Sequence, residues 1–184
     1  MQEESISSAE KGTITHLVMQ QIDVRKPVTV EVLEGLKLDL VQKEFLTVTQ
    51  LEAINNDEIL RFFESDIAQR MQKAHTLHRE VPFSMAIPAS EAYSDWNGPE
   101  ETVLVQGVID CLFEDEQGFV LLDYKTDRIT ERFTNGYQEA QPILKNRYKV
   151  QINLYTKAVE SILKVELKEK YLYFFDDGGH LMEM

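Results

Sequence analysis

The chain has 184 residues, 43% of them hydrophobic and 28% charged, a net charge of −13 and a single cysteine. That length supports one domain with a core of its own. The lone thiol excludes an internal disulfide and any cysteine-based zinc or iron–sulfur site, and the acidic balance argues against general, unaided capture of nucleic acid.

No apolar run is long enough to cross a bilayer, and Met1-Gln2-Glu3-Glu4-Ser5 is not a signal peptide, so a cytoplasmic protein without membrane contact is expected. Residues 1–10, polar, acidic and serine-rich, read as a disordered tail, which leaves 11–184 as one domain. Gly12-Thr13 opens a helix to about Ile22, with Thr13 as the expected cap. Its apolar stripe is Ile14, Leu17, Val18 and Ile22; His16 falls roughly opposite, so it faces solvent or another surface. After a break at Pro27-Val28-Thr29, helical pieces are expected over 30–43 and 49–55. A further single helix is expected over 57–73, with Leu60, Phe63, Ile67 and Met71 at helical spacing. Residues 80–87 read as a strand that Pro82 places near an edge or a bulge. Residues 93–101 form a polar loop, in which Trp96 either stacks on a base or packs against the domain, packing being the expectation.

The most informative stretch follows. Residues 103–113 and 119–126 read as the two strands of a hairpin, with 114–118 as the turn. Asp123 and Lys125 are two apart and share a face. If Phe113 lies opposite Val120, Asp110 pairs directly with Asp123, and both carboxylates and the ammonium meet on one face. Opposed like charges destabilise a sheet, and an unpaired carboxylate among Val108 and Leu112 on an apolar face is costly. A divalent cation between them removes both objections, since carboxylates are natural ligands for Mg²⁺ and Mn²⁺. A lysine beside such an ion can orient a water or stabilise developing phosphate charge. Cys111, between Asp110 and Leu112, points to the other face as a small core residue.

A connection over 134–142 leads to a long helix over 145–163, where Gln151 and Tyr155 lie four apart on one face. A last strand over 170–175 and a turn at Asp176-Asp177-Gly178-Gly179 complete the chain. His75, His78 and His180 have no partner at ligand spacing and read as surface residues. Residues 121–150 carry a net +2, leaving −15 for the remainder, so the cations cluster just after the hairpin. No Gly-x-x-x-x-Gly-Lys-Ser/Thr loop occurs, so no ATP site of that kind is present.

Taken together, Gly12-x-x-x-His16, Glu80, Gly107-Val108-Ile109-Asp110, Asp123-Tyr124-Lys125 and Gln151-x-x-x-Tyr155 resemble the RecB-like branch of the PD-(D/E)XK nucleases. Within that branch the chain looks like the C-terminal nuclease domains of AddA-type helicase–nucleases. The resemblance implies an α/β restriction-endonuclease-like core: a small mixed sheet flanked by helices, with extra N-terminal helices. It also implies a metal-dependent DNA exonuclease in double-strand-break resection and recombinational repair, acting on single strands, chiefly 3′-ended. The metal, Mg²⁺ with Mn²⁺ or Ca²⁺ as substitutes, would be held by His16, Asp110, Asp123 and the backbone carbonyl of Tyr124. Lys125 would be catalytic. Glu80 would be a further acidic site residue or merely a strand-start charge, and Gln151 and Tyr155 would contact DNA or position the lysine. The implied partners are DNA, helicase domains of the same parent chain and an AddB-like subunit. Some relatives carry a four-cysteine iron–sulfur cluster, which one cysteine forbids here. Tethering to a motor would spare an acidic domain the need to capture DNA itself. Two other readings stay open: a vestigial scaffold that binds a partner subunit through its helical half, and a stand-alone RecB-like phage or CRISPR nuclease.

Overall fold

The computed structural model describes residues 6–93 and 95–184. The first helix, α1 (Ser8–Gln21), is capped by Ser7, whose hydroxyl accepts from the Glu10 N–H at 3.2 Å. Ser8, Ala9 and Glu10 are therefore helical rather than part of a disordered tail; residues 1–5 lie outside the described residues. Thr13 is interior, its hydroxyl donating to the Ala9 carbonyl. Ile14, Val18 and Ile22 are buried along the expected stripe. The next helices, α2 (Val30–Gln42), capped by Thr29, and α3 (Val48–Glu52), opened by a Thr47–Gln50 capping box, follow the polar breaks. The single helix expected over 57–73 is two helices, α4 (Asn56–Glu64) and α5 (Asp66–Lys73). Ser65 between them is extended; its hydroxyl donates to the Phe62 carbonyl at 2.5 Å and accepts from the Ala68 N–H at 3.4 Å, so it ends one helix and caps the next.

The second half builds the sheet. Its elements are β1 (Thr76–Pro88), a turn of helix α6 (Ala89–Ala92), β2 (Thr102–Asp115), β3 (Gly118–Lys125), a short α7 (Ile129–Arg132), α8 (Tyr137–Leu163), β4 (Leu167–Phe174) and β5 (His180–Glu183). The strand order is β1-β2-β3-β4-β5. Every pair is antiparallel except β3 and β4, which α8 connects as a parallel crossover, so the sheet is mixed.

Several boundaries differ from the expectations. Asp115 pairs with Gly118, which shortens the hairpin turn to two residues and uses the positive φ of Gly118. The connection over 134–142 is mostly helical, and Pro142 lies inside α8. The strand over 170–175 is not the last: Gly178 and Gly179, both at positive φ, turn the chain into β5. His180, on β5, is no free surface residue. It stacks on Tyr137 at 4.0 Å, with Nε2 3.4 Å from Asp177. Trp96 closes its own loop, covering Gly98 and donating to the Pro99 carbonyl.

Two cores sandwich the sheet. Helices α1, α2, α4 and α5 bury Ile14, Val18, Leu33 and Phe62 with Cys111, Phe113, Leu122 and Tyr124 on one side. On the other, α8 buries Leu144, Ile152 and Val159 with Ile109, Leu112, Leu121 and Leu172. Strand β3 is covered on both faces, which is why it reads as a nearly continuous apolar run.

Alternation fails at one place. Arg79 pairs with Cys111 and Val81 with Ile109, so the register is uninterrupted. Yet Cys111 packs under α1–α5 while Ile109 and Leu112 both pack under α8. Glu80, opposite Asp110, has φ 52°, a left-handed conformation unusual for a non-glycine residue. Asp110 thus does not share a simple face with Val108 and Leu112: Val108 is exposed, Leu112 fully buried, and Asp110 sits where the strands change sides.

Candidate active site

The site forms where β2 and β3 part. Phe113 lies opposite Val120 and Cys111 opposite Leu122, as the hairpin register requires, and the ladder stops there. Asp110 and Asp123 come next in that register. In place of a backbone partner, the Asp110 carboxylate enters the fork, and Oδ2 accepts the Tyr124 N–H at 2.7 Å. Its other oxygen, Oδ1, lies 3.4 Å from His16 Nδ1.

Two devices bring His16 there. Gly12, one turn earlier on α1, packs against Thr126 just past β3; a Cβ at Gly12 would come within 2.8 Å of Thr126 Oγ1. At the other end of α1, Arg79 donates to the carbonyls of Ile22, at 2.7 Å, and Met19. Arg79 therefore fastens α1 to β1 immediately before the reversed Glu80. As a result His16, Glu80 and Asp110 each offer a ligand atom, all within 4.8 Å of one another. The side chain of His16 is one-third exposed, so the cluster opens to solvent.

Asp123 and Lys125 follow along β3. The Lys125 ammonium pairs with Asp123 Oδ2 and donates to Gln151 Oε1 at 3.0 Å. Gln151 in turn donates to Asp123 Oδ1 at 3.5 Å and to the Tyr155 hydroxyl at 2.9 Å. The Tyr155 ring meets Phe83 edge-on at 5.4 Å, over Gly107, where a Cβ would strike the Phe83 ring at 2.8 Å. The glycine thus lets β2 pass beneath two aromatic rings. Tyr148, one turn before Gln151, was not singled out from the sequence. The Lys125 ammonium sits 4.4 Å from its ring centre, a cation–π contact. Its hydroxyl donates to Asp127 at 2.5 Å, and Arg147 holds the same carboxylate at 2.7 Å. The spacing 148, 151, 155 places all three on one face of α8 and is a signal that periodicity alone could have found.

The electrostatics agree with this crowding. Burial pushes the Asp123 carboxyl up to about 6; Lys125 pulls it down and Asp110 adds to the rise. Burial and the Asp110 charge raise Glu80 above the carboxylate range. Burial alone would lower His16, but its hydrogen bond to Asp110 and the charges of Asp110 and Asp123 outweigh it, and the imidazole is raised. Burial also raises the hydroxyl of Tyr155.

Asp123 Oδ2 is buried and takes no hydrogen bond of acceptable geometry, although the Lys125 ammonium is next to it. An orphaned carboxylate oxygen, beside a cluster of one imidazole and two carboxylates, is the donor set a hard divalent cation would complete. The residues present fit such an ion. Glu80, of open role in the sequence, is in the ligand cluster, while Asp123 adjoins it. Tyr124 supplies its backbone N–H to Asp110 and buries its ring against Phe62 and Phe175. A cleft of about 280 Å³, lined by His16, Lys125, Thr126, Arg128, Arg132 and Tyr148 among others, leads outward from the site. Among the described residues no helix is long and apolar enough to cross a membrane.

The chain matches the profile of a family described as the PD-(D/E)XK nuclease superfamily over residues 2–181. It is 49% identical over 185 aligned residues to an ATP-dependent helicase/nuclease subunit of Bacillus cereus (strain G9842). Proteins of the same name from Bacillus anthracis and Bacillus mycoides (strain KBAB4) are each 48% identical. In all three the alignment covers 100% of this chain and 15% of the relative, so the chain spans a small part of their length.

Proposed function

Because the chain belongs to the PD-(D/E)XK nuclease superfamily, we propose that it is the nuclease domain of a helicase–nuclease. In this reading it hydrolyses phosphodiester bonds of single DNA strands that attached helicase domains deliver. The biological setting is cytoplasmic end resection at double-strand breaks, with an AddB-like second subunit. The relatives' name and their full coverage of this chain support that setting.

The observation that carries the chemistry is Asp123 Oδ2, buried without a hydrogen bond between Lys125 and the His16–Glu80–Asp110 cluster. A carboxylate kept bare at such cost is better explained by a cation than by folding. We assign His16, Asp110 and Asp123 as the ligands, with Glu80 as a further acidic donor and the Tyr124 carbonyl within the same fork. When bound there, Mg²⁺ or Mn²⁺ supplies Lewis-acid polarisation of the scissile phosphate and a water of lowered pKa. Lys125 directs its ammonium at the reacting phosphate, where it orients the water and offsets developing negative charge. Gln151 holds Lys125 and Asp123 together, and Tyr155 holds Gln151. His16 is the exposed rim of the ligand set, on the side from which a strand enters.

The test is Asp123→Ala in the intact parent protein, assayed for Mg²⁺-dependent cleavage of single-stranded DNA. The reading expects activity to fall by at least about a thousandfold, several kcal/mol of transition-state stabilisation. Unchanged cleavage would reject it.

A further inference from the structure

The cleft outside the ligand cluster has a chemistry of its own. It runs from His16 and Lys125 along Thr126 and Asp127 to Arg128 and Arg132, with Ser8 and Ala9 of α1 opposite. In a chain of net charge −13, three of the side chains lining it are Lys125, Arg128 and Arg132. The single acid in its wall, Asp127, is already taken by Arg147 and by the Tyr148 hydroxyl. Arg128 is held by both oxygens of Glu131. Arg132 is exposed and makes no ion pair or hydrogen bond among the described residues. It therefore presents an uncommitted guanidinium to the same space as the Lys125 ammonium.

The mounting of that guanidinium is firm. The four-residue α7 interrupts the passage from β3 to α8. Ile129 at its start is fully buried in the core under α8. Thr130 is fixed by its N–H and its hydroxyl to the Asp176 carboxylate, each at 3.0 Å. The Phe133 N–H closes the turn on the Ile129 carbonyl. Arg128 and Arg132, four apart, project from one side of this turn. A rigid base and a free charged tip suit an anion that arrives with its own geometry. Guanidinium is the group that grips a phosphodiester through two parallel hydrogen bonds.

Resting on the nuclease reading, we infer that this cleft is the seat of the phosphodiester next to the scissile one, and that Arg132 is its principal contact, with Arg128 and Thr126 beside it. The cleft is about 280 Å³, of the order of one nucleotide, which suits a single strand and not a duplex. The partner is the sugar–phosphate backbone, read without regard to base sequence. Arg132 acts in binding; the reacting group is held by Lys125.

The experiment measures cleavage of a short single-stranded oligonucleotide by the intact parent protein with Mg²⁺ and no ATP, over a series of salt concentrations. Arg132→Gln is expected to raise KM about tenfold and leave kcat within about twofold. It should also flatten the dependence of log kcat/KM on log salt by roughly one unit. Arg132→Lys should recover part of the lost affinity, and Lys168→Gln, a surface cation outside the cleft, should change nothing. If Arg132→Gln keeps the wild-type KM and salt slope while Asp123→Ala is inactive, the strand seat is wrong and the nuclease reading stands. If Asp123→Ala is fully active, both fall together.

Discussion

Lys125 is held by Asp123, Gln151 and the face of Tyr148, and the third of these contacts has a separable consequence. Tyr148→Leu removes the ring beneath the ammonium and is expected to lower kcat about tenfold at unchanged KM, in line with a desolvated cation–π contact. Tyr148→Phe keeps the ring and should retain most of kcat, which separates a seat for Lys125 from a contribution of the hydroxyl. A second expectation concerns Asp123. Its folded pKa of about 6 stands above the ordinary value of 3.8. Protonation thus favours the folded state: the stabilisation is complete below about pH 4 and is lost as pH rises through 6, on the order of 3 kcal/mol across that window. In chelator, Asp123→Asn should therefore raise Tm at pH 7.5 by several degrees, and the gain should shrink toward pH 5. A lower Tm at pH 7.5 would show that the carboxylate stabilises the metal-free fold. At this scale much of the site could be read from the sequence, because Asp123 and Lys125 obey strand alternation and Gln151 and Tyr155 obey helix periodicity. The inward turn of Glu80 could not, since a positive φ at a glutamate leaves no local sign in the sequence.

At the scale of elements, glycines set the distances between parts. Gly107 lets β2 lie under Phe83 and Tyr155, and a methyl group there would meet the Phe83 ring at 2.8 Å and the Tyr155 ring at 3.3 Å. Gly107→Ala gains some backbone rigidity but overpacks two rings, a net cost of about 1–2 kcal/mol. Because Tyr155 carries Gln151, activity should fall by more than the loss of folded protein explains; denaturant melts and kcat on the same samples measure the two. The hairpin was legible down to its register, which the apolar pattern and the two-residue turn jointly enforce. The elements misread are those decided by a single side chain or backbone angle. Ser65 splits one helical pattern by capping α5, and Gly178-Gly179 returns the chain for β5. Firm attachment of α7 to Asp176 gives shape to a stretch that looks like a linker.

For the whole molecule, the sheet divides the labour. Helices α1, α2, α4 and α5 form one core and bring His16 over the end of β3, while α8 forms the other and carries Tyr148, Gln151 and Tyr155. The site lies where both layers reach the fork of β2 and β3. The mixed sheet and its flanking helices agree with the α/β fold expected from the motifs, and the family match extends over nearly the whole chain. The acidic surface with one cationic cleft suits a domain fed by a neighbour in the same polypeptide. An active site and a vestigial scaffold of the same fold differ in whether the carboxylate cluster takes up a cation. Calorimetric titration of the 184-residue chain with Mn²⁺ measures that difference. We expect saturable uptake that is abolished in Asp110→Asn and Asp123→Asn and weakened in His16→Ala. No uptake by the wild-type chain, or uptake that survives both aspartate substitutions, would contradict the proposed metal-dependent nuclease site.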